Sequence, residues 1–412
     1  MRSWIRTAAL VGCGSLALTA CGGGFGSGGK AQNESAHQSL RVMIATSTDA
    51  EGAAVKEAAA SWAERTGNKV TVIPSQDLRQ QLGQGFAGGN PPDVFYTTSE
   101  KFADYAEGGS LYPYGTQLED VEAFSEDLRR SFSRGGKLVC APKDSSTLAL
   151  AINTELWRKA GLTEKDIPRD WTDLQRVART LTRGKVTGLT FDPTYNRIGA
   201  FLRQSGGWIT DSAQKKMTAD TPANVRALTY VRGLLRSGAL KYPKQIDSGW
   251  GGEAFGKGRA AMTIEGNWLV GGLKKDFPDT KYRVVALPEG PAGRGNLSFS
   301  TCWGVAKQSA HHKAAIDLVE SLTAPRQQLE FADSFGVMPS RNDALKVYKE
   351  RHPAQRAFVD GTRSARGPVT LAGFDKVLNQ FDTGLESLAS ADPRKILAEL
   401  QRNGSQALAD EG

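Results

Sequence analysis

The residues best suited to chemistry in this chain are indoles set on turns. There are 8 tryptophans in 412 residues, and several stand beside glycine instead of inside an apolar run. Trp208 follows Gly206-Gly207, Trp250 sits in "DSGWGGE", Trp268 in "EGNWL" and Trp303 in "FSTCWG". An indole is a large, rigid surface with little side-chain entropy to lose. At a strand end it suits stacking on a flat C–H face, such as that of a sugar ring. Glu265 and Asn267 flank the turn before Trp268 and could bond hydroxyls, which call for carboxylates and amides. The competing role for each indole is core packing. Trp62, in a helical run, and Trp208 read as structural, Trp268 as ligand-facing, and Trp250 and Trp303 as either. Catalytic patterns are missing. There is no G-x-S-x-G nucleophile turn and no G-x-x-x-x-G-K-[ST] phosphate loop. No context singles out two carboxylates for acid and nucleophile work on a glycoside. Four histidines, two of them adjacent at His311-His312, lack metal spacing. A binding protein that is not an enzyme is expected, without metal or cofactor.

The elements that must position these residues alternate. "LRVMIAT" (40–46) reads as a buried strand, "EGAAVKEAAASWAERT" (51–66) as a helix and "GNKVTVIP" as a strand after a glycine stop. "LRQQLGQGFAGG" then reads as a helix, "PPDVFYTT" as a strand and "SEKFADYAEGG" as a short helix. A second region starts near Thr147. There "TLALAINTELWRKAGL" gives strand then helix, and "PRDWTDLQRVARTLTRG" a helix with Asp170 as N-cap. "TPANVRALTYVRGLLRSGAL" is another helix, "GRAAMTIEGNWLVGGLKK" is strand, turn and helix, and "KYRVVALP" is a strand. Strand–helix alternation predicts an α/β protein with largely parallel sheets. Its length suggests two lobes or domains.

The N-terminus reads as an export signal. Arg2 and Arg6 precede an uncharged apolar stretch of about 13 residues, Ala8 to Ala20, where a membrane span needs roughly 20. "LTAC" (18–21) resembles the bacterial lipobox, which implies lipidation at Cys21 after removal of residues 1–20. Two or more acyl chains anchor stably, and the glycine-rich stretch within 21–39 reads as a tether. The net charge of +8 comes from scattered basic residues, a solvated surface and not a nucleic-acid patch. Cys13 lies in the signal. Cys140 and Cys302 remain as an even pair in a compartment where disulfides persist.

Several segments together resemble the solute-binding proteins of ABC importers, most closely the maltose-binding-protein-like, oligosaccharide branch. They are "SWAERTGNKVTV" (61–72), "PPDVFYTTSEKFADYAEGGSLYPY" (91–114), "PKDSSTLALAINTELWRKAGL" (142–162), "GKGRAAMTIEGNWL" (256–269) and "GVMPSRNDA" (336–344). The resemblance implies a two-lobed, hinged periplasmic-binding-protein fold whose lobes are joined by crossover strands. One lobe would take residues 40–140 and 304–345, the other 146–298 and 350–412. The ligand would lie in the cleft between them, beyond the strands' carboxyl ends.

The resemblance also implies site residues. Trp268 matches the family's stacking residue. Asp49 stands where family members place a sugar-binding acid, though it could equally be a helix N-cap. Glu100 and Lys101 align with a hydroxyl-binding acid–base pair. Ser146 replaces an acid common in the family, and Asp144 could supply that carboxylate instead. Tyr195 and Asn196 follow a ligand loop, and Arg341 reads as either a hinge clamp or a ligand contact. Cys140 and Cys302 fall on adjacent crossover strands and are expected to be bonded. The implied function is a lipid-anchored receptor on the extracellular face of the bacterial membrane. It would be a monomer delivering a di- or oligosaccharide to permease subunits with a separate ATPase. A glycerophosphate, peptide or iron receptor of the same fold, or a surface glycosidase, stays open at this point.

Overall fold

The computed structural model describes residues 37–45 and 49–410. The expected signal, the Cys21 lipidation site and most of the tether lie outside the described residues. Along the chain the strands are β1 (Ser39–Ala45), β2 (Lys69–Ser75), β3 (Val94–Thr98), β4 (Ser133–Arg134), β5 (Lys137–Leu138), β6 (Ala141–Pro142) and β7 (Ser146–Asn153). They continue as β8 (Thr187–Thr190), β9 (Ala260–Gly266), β10 (Tyr282–Val285), β11 (Asn296–Phe299), β12 (Thr301–Val305) and β13 (Ala365–Arg366).

Two sheets organise them. The first has the order β2-β1-β3-β12-β6, with β1 parallel to β2 and β3, and β12 antiparallel to β3 and β6. The second has the order β13-β11-β7-β9-β8, with β10 also on β7. β4 and β5 form a separate hairpin. The α/β, two-lobed class expected from the sequence is the observed one, but the sheets are not largely parallel. β7 is antiparallel to β9, β10 and β11, and β12 to β3 and β6, since β7 and β12 each enter their sheet directly from the other one instead of through a helical crossover. Each sheet has its own core. Trp62, Phe95 and Phe102 belong to the first, and Leu150, Phe191 and Phe201 to the second. Burying a large apolar side chain of this kind stabilises by about 1.5–3 kcal/mol.

Local rules explain the elements. Helix Asp49–Thr66 buries Val55, Ala59 and Trp62 on one face, a helical spacing. Asp170 caps helix Trp171–Leu181 by accepting from the Asp173 amide at 2.8 Å, as its position predicts. β7 is buried along its whole length, because strands flank it and helices cover it. Accordingly its sequence is a run of apolar and small residues instead of an alternation.

The chain passes between the sheets at short extended links. β6 runs through Lys143–Ser145 into β7, and β11 runs through Ser300 into β12. The Lys143 amide donates to the Thr301 carbonyl at 2.7 Å, and the Ser145 amide to the Met338 carbonyl at 2.8 Å. Buried Gln328 fastens a third link. Its Oε1 accepts from the Ser340 and Arg341 amides at 3.0 and 3.1 Å, and its Nε2 donates to Ser340 Oγ at 2.6 Å. Ser340 Oγ donates in turn to the Pro142 carbonyl at 2.7 Å. Arg341 pairs with Asp343 and Asp120.

The Cys140–Cys302 disulfide is present, with Cα atoms 5.7 Å apart. Both cysteines are fully buried in the first core. The bond therefore ties the start of β6 to β12 on the first-sheet side of both links.

Candidate functional site

A cleft of about 510 Å³ opens where the links and both sheets' loops converge. One wall comes from the first sheet's side: Ala45, Glu51, Tyr96, Thr98 and Glu100. The opposite wall carries Asn196, Arg197, Asn267, Trp268 and Phe299. Lys143 to Ser146, Ser300 and Thr301 make the floor, and Phe335 to Val337 the end.

The first wall centres on Lys143. Its side chain is buried, and its Nζ lies 3.0 Å from Glu51 Oε1 and 2.6 Å from Asp144 Oδ2. It also sits over the Tyr96 ring at 4.7 Å and the Phe335 ring at 5.3 Å from the centroids, cation–π distances. Burial alone would lower its pKa, but the facing Asp144, Tyr96 and Glu51 outweigh burial and hold the ammonium well above the usual lysine range. Burial drives the Tyr96 phenol far above its ordinary value, so it stays protonated. Asp144 is held in turn by the Thr301 amide, which donates to its Oδ1 at 3.2 Å.

The second wall centres on Arg197 and Trp268. Trp268 opens helix Trp268–Asp276 and is 37% exposed, the one large hydrophobic side chain in that state among the described residues. Its ring meets Phe299 edge-on at 5.6 Å, and Arg197 lies 5.2 Å from the ring centroid. Glu265 holds both. Its Oε2 accepts from Arg197 Nη2 at 2.6 Å and from Trp268 Nε1 at 2.9 Å. Glu265 is fully buried, and burial pushes its carboxyl up to about 7, with Arg197 opposing and Asp192 adding to the rise. Two glycines make room. A Cβ at Gly266 would fall 2.2 Å from the Trp268 ring, and one at Gly251 would fall 2.5 Å from Glu265 Oε1.

Polar atoms on some lining residues lack protein partners among the described residues. Asn196 Oδ1, Arg197 Nε and Ser145 Oγ are all buried without one. Such groups are costly unless a ligand or water meets them. Among the described residues no three His, Cys, Asp or Glu side chains are grouped to hold a metal ion. No helix among them is long and apolar enough to cross a membrane.

Of the residues singled out in the sequence, the structure brings Glu100, Asp144, Ser146, Asn196, Asn267 and Trp268 to the cleft. Glu265 stands one layer behind. The others lie elsewhere for identifiable reasons. Asp49 is exposed in the first turn of its helix, while Glu51, two residues on, turns inward to Lys143. Lys101 points away from Glu100 and pairs with Asp104 and Asp375 at 2.9 and 2.5 Å. Tyr195 is buried in the second core, its hydroxyl accepting from the Val369 amide at 3.3 Å. Trp250 packs behind the Trp268 helix, its ring 3.3 Å from where a Gly272 Cβ would stand. Trp303 is fully buried and braces Tyr96 edge-on at 4.8 Å. Sequence reasoning missed Glu51, Tyr96, Lys143 and Arg197. Each is within two residues of a residue it had marked, or on a strand it had marked, so the available signal was helix and strand phase.

The profile of the bacterial extracellular solute-binding proteins matches residues 45–329. A probable ABC transporter-binding protein of Deinococcus radiodurans is 25% identical over 365 residues, covering 81% of this chain and 84% of that protein. The arabinooligosaccharide-binding protein of Bacillus subtilis is 25% identical over 300 residues, covering 67% of this chain and 66% of that protein. In fold, the chain is similar to an ABC substrate-binding protein from Listeria monocytogenes solved with cycloalternan. That match has a TM-score of 0.80 at 22% identity and covers 91% of this chain and all of the other.

Proposed function

Because the chain belongs to the bacterial extracellular solute-binding proteins, we propose that it captures a saccharide in the cleft around Trp268 and delivers it to the membrane subunits of an ABC importer. The observation that carries this reading is Trp268 itself. It is a large apolar face left 37% exposed on the wall of a polar cleft. Leaving it in water is unfavourable, and a sugar's C–H face would cover it. The polar complement is also at hand. The Glu100 carboxylate in the lining, and Asn196 Oδ1 and Ser145 Oγ, which lack partners among the described residues, offer bonds to hydroxyls. Two relatives are named or solved for oligosaccharide ligands, which agrees with this cargo.

The action is binding and not catalysis. A ligand touching both walls favours the closed arrangement, and the links around Lys143 and Ser300 serve as the hinge. Lobe one takes residues 40–140 and 304–345, lobe two residues 146–298 and 350–412. Cys21 is the lipidation site, and the following segment leashes a monomer at the extracellular face. The leash raises the receptor's effective concentration at the permease.

A thermal-shift screen of mono-, di- and oligosaccharides, with short peptides as controls, tests the cargo. A ligand that binds only the folded state raises the melting temperature by mass action. A rise with a saccharide and none with peptides is expected. A rise with peptides alone would overturn the saccharide assignment.

A further inference from the structure

We propose that Glu265 is the specificity-determining residue that keeps small anions, such as phosphorylated or carboxylated sugars, out of this cleft by occupying the Arg197 guanidinium. The inference rests on the cleft being the solute site proposed above.

The cleft lining holds two cations, Lys143 and Arg197. Lys143 is taken on two sides, by Glu51 and Asp144. Arg197 depends mainly on Glu265 at 2.6 Å, because Asp192 Oδ2 is 3.9 Å away. Arg197 Nε is buried with no partner. A guanidinium is a fixed planar fork that matches phosphate and carboxylate oxygens in pairs. If Glu265 lost its charge, this fork would remain at the wall, beside Trp268, with one distant carboxylate. An anionic solute would then find a preset partner. With Glu265 charged, the same anion meets an already neutralised arginine and the Glu100 carboxylate on the facing wall, and is repelled. Glu265 thus acts through Arg197, as a positioning residue as well as a screen.

The groups facing Glu265 come from every neighbouring element. Arg197 approaches from helix Tyr195–Gln204, Asp192 from the loop before it, and the Trp268 N–H from helix Trp268–Asp276. Gly251 closes the remaining side, and Thr263 lies beside it on β9. Asp382, on helix Asp375–Glu386, is near enough to feel Arg197. Burial lifts the Glu265 carboxyl to about 7. Mild acid therefore removes its charge and leaves the nearby arginine charged, which is the condition that admits an anion.

The test is calorimetric titration of D-glucuronate and glycerol 3-phosphate, with glucose as neutral control, at about pH 8, well above the value to which burial has lifted the carboxyl. Wild type is expected to show no measurable affinity for either anion. Glu265→Gln is expected to gain at least about tenfold, and adding Arg197→Gln should cancel the gain. Equal anion affinity in wild type and Glu265→Gln, or a gain that survives loss of Arg197, would overturn the assignment. Should Glu265→Gln fail to fold, wild type decides alone. Glucuronate keeps its charge across neutrality, so its affinity should rise as pH falls from about 8 to 6, and a flat profile contradicts the proposal. A parallel titration with neutral oligosaccharides separates the two readings. Failure of every neutral saccharide removes the saccharide cargo without touching the anion comparison.

Discussion

The two walls of the cleft solve one problem differently. Each holds a buried cation against carboxylates and an aromatic ring. At Lys143 the charge is shared between two carboxylates, Glu51 and Asp144, and the surroundings hold the ammonium firmly charged. At Arg197 one carboxylate does most of the holding. It is buried so completely that it titrates near neutrality. The first wall is therefore fixed in charge and shape, whereas the second can change state. The exposed indole is on the wall that can change. Removing one partner of a buried pair costs far more than the pair contributes, because a charge is left alone. The Lys143 wall should break harder than the Arg197 wall.

The largest expected effect is on the Lys143 wall. Lys143→Met removes the buried cation that neutralises Glu51 and Asp144 and should lower unfolding stability in urea by about 3–5 kcal/mol. A loss below about 1 kcal/mol would mean that the trio is not a buried unit. Opening the disulfide comes next. Replacing Cys140 and Cys302 with alanine frees a loop of 162 residues and should cost about 2–4 kcal/mol, read by the same denaturation. An unchanged midpoint would contradict a bond in the folded protein.

Proton linkage sharpens the comparison. Glu265 and Asp382 both have carboxyls raised by burial to about 7. The folded state then holds protons that the unfolded state releases between each group's ordinary value and about 7. Stability from these two groups rises as pH falls from about 8 toward 5 and is lost as pH rises through 7. Melting temperature should follow that direction, and Glu265→Gln should flatten part of the slope. A slope unchanged in Glu265→Gln would remove Glu265 as its source. The smallest effect belongs to Lys101, whose pairs with Asp104 and Asp375 are partly exposed. Lys101→Ala should cost no more than about 1 kcal/mol, and less at high salt.

Most of the fold was legible in the sequence. Strand–helix alternation, glycine stops and the Asp170 cap fixed the elements to within a few residues. Each reports on local backbone rules. The site was legible only to the neighbourhood. Asp49 is exposed in the first turn of its helix while Glu51 faces the cleft, and beside Asp144 the buried cation is Lys143. The Tyr195 helix was identified, yet its cleft-facing side chains are Asn196 and Arg197. On a helix or strand, a shift of one or two residues moves a side chain to another face. Which face meets the cleft is set by packing between distant segments. Trp268 was legible because its turn, its glycine and its flanking polar residues all agree. Trp303 shows the same local signs and is buried, since β12 lies inside the first sheet between β3 and β6.

The most direct measurement is calorimetric titration of the best saccharide from the thermal-shift screen against wild type and Trp268→Ala. The indole is partly exposed, so the variant should fold with little loss of stability. Truncating a central aromatic contact costs about 2 kcal/mol or more, roughly 30-fold in affinity. An affinity drop of that order, with the melting temperature nearly unchanged, is the expected result. Undiminished binding by Trp268→Ala would contradict a saccharide site built on this cleft wall.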